Sequence, residues 1–64
     1  DPAVERVLNL VAVIVGSERL MVALQVKFRE QPSGTALVEA INALERNLHA
    51  RFPQIQHLFV EPDF

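Results

Sequence analysis

The chain has 64 residues, half of them hydrophobic, with six basic and eight acidic side chains and a net charge of −2. That content describes one small folded domain and not a disordered segment, and the charge balance lacks the basic footprint of a nucleic-acid binder. The absence of cysteine excludes a disulfide framework and a thiolate metal site and agrees with a cytosolic setting. A domain of this length buries only about 60% of its unfolded surface, so a monomer this apolar is expected to leave greasy surface exposed. The longest unbroken apolar run, Leu10 to Val15, falls far short of the roughly 20 residues of a membrane-spanning helix. Asp1 follows neither an initiator methionine nor a signal peptide, which leads us to expect a single domain, 1–64, excised from a longer protein.

In chain order, Asp1-Pro2-Ala3-Val4-Glu5-Arg6 predicts a short opening turn of helix, with Asp1 as cap and Pro2 at the first helical position. Val7 to Val15 is dense in β-branched residues and predicts a strand. Strict alternation points Leu8, Leu10, Ala12 and Ile14 to one face and Val7, Val11, Val13 and Val15 to the other, with Asn9 the only polar interruption. A strand apolar on both sides is normally covered on both. One long helix covers one face, so the second is expected to meet the N-terminal segment or another copy of the chain. Gly16-Ser17-Glu18 suits a hairpin turn, and Arg19 to Glu30 predicts a second strand. There Leu20, Val22, Leu24, Val26 and Phe28 alternate with Met21, Ala23, Gln25, Lys27 and Arg29. Gln31-Pro32-Ser33-Gly34 is the loop that follows.

Thr35 to Phe52 carries Leu37, Ala40, Ile41, Leu44, Leu48 and Phe52 at helical spacing, with Glu39, Asn42, Glu45, Arg46 and His49 on the opposite side. Ser33 or Thr35 can cap the start, Arg51 suits the negative end of the dipole, and Pro53 forbids continuation. Gln54 to Pro62 predicts a third strand centred on Leu58, Phe59 and Val60 and closed by Pro62. Alternation groups Ile55, His57, Phe59 and Glu61 on one of its faces, and Asp63 follows. The expected fold is α+β, in the order α-β-β-α-β: an open three-stranded sheet with one long helix and a short N-terminal one. Its expected core is Leu10, Val22, Leu24, Leu37, Ile41, Leu44, Leu48 and Val60.

No constellation for catalysis is present. Ser17, Ser33 and Thr35 sit at turns and caps that account for them, and there is no cysteine nucleophile or glycine-rich phosphate loop. The chain therefore reads as a non-enzyme. His49, four residues after Glu45, suits an exposed ion pair on the helix. His57, Glu61 and Asp63 offer ligand chemistry that zinc accepts, but too few donors for a tight site unless a second subunit completes it.

The closing residues Arg51-Phe52-Pro53 and Gln54-Ile55-Gln56-His57-Leu58-Phe59-Val60-Glu61-Pro62 resemble the end of the cytoplasmic C-terminal domain of cation diffusion facilitator (cation efflux) transporters. In that family a helix ends near a Phe-Pro pair and the last strand reads like "hIFIEP". The opening Asp1-Pro2-Ala3-Val4 with Val7-Leu8-Asn9-Leu10 resembles its "P.V..v..L" start, and Leu20-Met21-Val22-Ala23-Leu24-Gln25-Val26 its second strand. The resemblance implies a ferredoxin-like, metallochaperone-like domain. It hangs at the cytoplasmic face of the cell membrane, below transmembrane helices of the same polypeptide, and forms a homodimer. The parent transporters exchange a divalent cation such as zinc for protons. Some members also bind regulatory metal between subunits, and matching those positions gives Leu8, Gln25, Phe59 and Glu61, of which only Glu61 is an effective ligand. The resemblance thus implies dimerisation, and the sheet face that the helix leaves bare, with Val11, Val13 and Phe59, is the expected interface. It implies no tightly bound cofactor and at most a weakly held divalent cation. The alternative is a free-standing ferredoxin-like regulatory module that binds a small ligand.

Overall fold

The structure, a computed structural model, describes residues 2–63. Strand β1 (Val4–Ile14) and strand β2 (Leu20–Phe28) form an antiparallel hairpin. Helix α1 (Gly34–Arg51) then carries the chain to strand β3 (Ile55–Asp63), which pairs parallel to β2. The sheet order is β1-β2-β3, so among the described residues β2 alone is bonded on both sides. The hairpin closes where the Val15 N–H donates to the Arg19 carbonyl at 2.9 Å. Within the turn Gly16 adopts φ 74° and Glu18 φ 58°, the left-handed geometry that a tight reversal requires and that glycine adopts without strain.

Helix α1 starts and stops on local chemistry. The Ser33 hydroxyl accepts the Ala36 N–H at 3.1 Å, satisfying one of the amides left unpaired at a helix start. At the other end the Phe52 N–H donates to the Leu48 carbonyl at 2.8 Å, and Pro53 prevents another turn. The Phe52 carbonyl then accepts the Ile55 N–H at 3.0 Å, while the Gln54 carbonyl accepts the Leu20 N–H at 3.0 Å, which docks the start of β3 against β2. The helix lays Leu37, Ala40, Ile41, Leu44 and Leu48 against a core of Val22, Leu24, Val26, Phe28, Leu44 and Ile55. Val26 is fully buried, at 0% exposure.

Four expectations require correction. The N-terminal helix is absent among the described residues: Pro2 and Ala3 form a turn and Val4 already belongs to β1, while the expected cap Asp1 lies outside the described residues. A single helical turn pays its nucleation cost for one hydrogen bond, whereas this segment gains sheet partners. Val4 pairs with Phe28, the Ala3 carbonyl accepts the Arg29 N–H at 2.8 Å, and the Pro2 carbonyl accepts Arg29 Nε at 3.2 Å.

The second correction concerns the faces of β1. Register shifts between Val4 and Arg6 and between Val7 and Asn9 each place an extra residue, Glu5 and Leu8, in β1. Beyond each bulge the alternation changes phase. Val7 therefore shares the helix side with Leu10, Ala12 and Ile14, and Leu8 falls at a bulge. Third, Leu10 is not core but 59% exposed, because α1 lies over β2 and β3 and leaves β1 bare. A groove of about 400 Å³ runs beside the helix here, lined among others by Val7, Leu10, Ala12, Leu48 and Phe52.

The fourth correction is at β3, where Ile55 pairs with Leu20 but His57 pairs with the next residue, Met21. The extra residue, Gln56, turns Ile55 into the core, away from the face of His57. Of the remaining expected core residues, Val22, Leu24 and Leu44 are buried, and Leu37, Ile41, Leu48 and Val60 are half-buried.

Leu44→Ala truncates the one buried side chain of the helix and is expected to cost about 2–5 kcal/mol in chemical denaturation. Ser33→Ala, which takes away the cap acceptor, is expected to cost about 1 kcal/mol in the same measurement.

Candidate functional site: the helix-free face of the sheet

The strand registers stack side chains into rows across the face that α1 does not cover. Val13, Met21 and His57 form one row; Val11, Ala23 and Phe59 the next; Asn9, Gln25 and Glu61 a third; Arg6, Lys27 and Asp63 a fourth. The first two rows are apolar apart from His57. Val11, Val13 and Phe59 are 49%, 43% and 56% exposed, large values for side chains of this kind gathered in one patch. The His57 and Phe59 rings stack, with centroids 6.4 Å apart and planes 23° from parallel. The patch is framed by polar groups at its far end, where Lys27 Nζ lies 3.6 Å from the Glu5 carboxylate.

The three residues expected at a subunit interface, Val11, Val13 and Phe59, are thus brought together on one face. Met21 and Ala23 complete the patch; the alternation of β2 already placed both on its second side. The candidate metal ligands are spread along β3. His57 and Glu61 lie on either side of Phe59, and Asp63 lies one row further on, opposite Lys27. Of the positions that the family resemblance associates with metal, Gln25, Phe59 and Glu61 share this face and Leu8 sits at the β1 bulge. Among the described residues no group of three or more His, Cys, Asp or Glu side chains converges as a metal site. Two hydrocarbon side chains, one amide and one carboxylate do not suit a transition metal, because carbon has no lone pair to donate. His49 is exposed on the outer side of α1, and among the described residues it forms no ion pair with Glu45. No described helix is long and apolar enough to cross a membrane.

No family model and no curated protein matches the sequence. Solved structures do share the architecture. One substituted form of the MamM C-terminal domain (CTD) superposes with a TM-score of 0.86 at 21% identity, covering 97% of this chain and 76% of that one. A second MamM CTD superposes with a TM-score of 0.85 at 19% identity, covering 97% of this chain and 77% of that one. The nickel form of a further MamM CTD variant gives the same TM-score, identity and coverages. At these identities the likeness is one of fold: the chain is a ferredoxin-like domain built as β-β-α-β, with the fold of MamM CTD.

Proposed function

We propose that this chain is the cytoplasmic C-terminal domain of a cation diffusion facilitator transporter, a non-catalytic module that joins two transporter protomers through the helix-free face of its sheet. One observation carries the reading: a MamM CTD fold across 97% of the chain whose uncovered sheet face presents Val11, Val13, Met21, Ala23 and Phe59. Exposed apolar surface of this kind gains free energy by meeting a like surface, at about 25 cal/mol per Å² removed from water. A domain too small to cover its own sheet has an evident candidate for that surface in a second copy. In the full transporter such a joint would couple the movement of the two protomers, with the transport site itself in membrane helices of the same polypeptide.

Nickel, cadmium and copper forms occur among the MamM CTD structures. In this chain the positions that the family resemblance associates with regulatory metal hold Leu8, Gln25, Phe59 and Glu61, of which only Glu61 is an effective ligand. We therefore assign the joint to apolar contact in place of bridging ions. His57, Glu61 and Asp63 would hold a divalent cation such as zinc only weakly.

Phe59→Asp sets a carboxylate at the centre of the apolar rows and is expected to weaken dimerisation at least about tenfold in sedimentation equilibrium. A wild-type chain that stays monomeric at high micromolar concentration would refute the dimeric reading. Calorimetric titration of zinc into chelator-treated protein is expected to show only weak binding. A stoichiometric submicromolar transition abolished by His57→Ala would overturn the metal-independent joint.

A further inference from the structure

The uncovered face has a pattern that its apolar content alone does not explain. Phe59 stands at the centre of the exposed side of β3, with His57 two residues before it and Glu61 two residues after it. Each is displaced from Phe59 by about 6–7 Å along the strand, in opposite directions. A base and an acid placed symmetrically about an apolar centre form a self-complementary surface.

We infer that two copies pack face to face about a two-fold axis that crosses the strands through the Val11–Ala23–Phe59 row, so that His57 of each copy meets the partner's Glu61. The inference rests on the dimeric reading above and specifies its geometry. The axis sets each residue of the central row against its own equivalent and reverses the strand direction. The His57 row of one copy then lies over the Glu61 row of the other, twice in each dimer. An axis along β2 would instead keep like rows together, with His57 against the partner's Val13 and Glu61 against its Asn9. That arrangement leaves the imidazole on hydrocarbon and gives the carboxylate only an amide. Charge complementarity favours the crossing axis.

The other charged groups do not compete strongly for this pairing. From β1 and β2 the rows holding His57 and Phe59 contribute only Val13, Val11, Met21 and Ala23, and the row holding Glu61 contributes Asn9 and Gln25. Lys27, one row beyond Glu61, is engaged by Glu5 at 3.6 Å, and Arg6 and Asp63 share that outer row. Glu18 and Arg19 line a depression with Gln56 beyond the opposite end of the patch, where their charges offset. Helix α1 lies on the other side of the sheet.

The chain contains no cysteine, so single introduced thiols report the axis directly. With a short bis-maleimide, Val11→Cys is expected to give a covalent dimer and Met21→Cys is not, since only the crossing axis sets Val11 against itself. Packed sheets lie about 10 Å apart, within such a linker's span. In parallel, His57→Glu places two carboxylates in opposition and is expected to weaken the dimer, while adding Glu61→His to it restores the affinity. A dimer linked through Met21→Cys and not Val11→Cys, or one in which the double exchange restores nothing, overturns the crossing axis while leaving the dimer intact. A monomer under every condition overturns the dimeric reading itself.

Discussion

The burial of one side of β2 is the interaction on which the rest of this domain depends. Val22, Leu24, Val26 and Phe28 all lie below 9% exposure, and they form a continuous apolar stripe on the one strand that has neighbours on both sides. The stripe needs a cover, and α1 supplies it with Leu37, Ile41, Leu44 and Leu48. Because the helix leaves the end of β2 and must return beside it, β3 enters parallel to β2. A parallel pair requires a crossover of this length, where a short turn serves an antiparallel one. The caps at Ser33 and Pro53 set the length of that crossover, and the Gln54 and Phe52 carbonyls dock its far end.

The same arrangement leaves two apolar surfaces open, both involving β1. On the helix side, one helix is narrower than three strands, so Val7, Leu10 and Ile14 remain exposed beside α1. On the opposite side no described element covers the sheet, and Val11, Val13 and Phe59 face solvent. Strand β1 is thus the least protected element of the molecule, an apolar edge with little of the charge that usually discourages pairing along an exposed strand. Its two bulges, at Glu5 and Leu8, lie in its N-terminal half and increase the local twist there. The other half, from Asn9 to Ile14, pairs regularly with β2 and carries the open rows.

The chemistry of the helix-free face follows from this economy of elements. A joint held by metal would need nitrogen or carboxylate donors converging across the sheet, whereas here the central row is valine, alanine and phenylalanine. Polar side chains flank that row and do not enter it. The stacking of His57 on Phe59 gives the imidazole an apolar neighbour on one side and leaves its other side open. In the proposed dimer such a face would discriminate through shape and through charges at its margin, the arrangement in which a hydrophobic centre supplies affinity and the rim sets register.

Much of this was legible in the residues themselves, because it depends on interactions local in the chain. The period of apolar residues from Leu37 to Leu48 and its flanking cap and proline specify α1 within a residue of its observed ends. The alternation from Leu20 to Phe28 specifies β2, and Gly16 marks the hairpin. The gathering of Val11, Val13 and Phe59 on one face also followed from alternation, although which neighbours complete it required the strand registers. Three features were decided only by tertiary structure: the extension of β1 back to Val4, the phase changes at Glu5 and Leu8, and the inward turn of Ile55 at Gln56. Each depends on a partner distant in sequence. The Arg29 N–H and side chain draw Pro2 and Ala3 into the sheet. A bulge leaves no mark in the period of its own strand, since one extra residue becomes visible only against the ladder it interrupts. The exposure of Leu10 has the same origin: its apolar character was plain in the sequence, but a helix lying over β2 and β3 leaves it uncovered among the described residues.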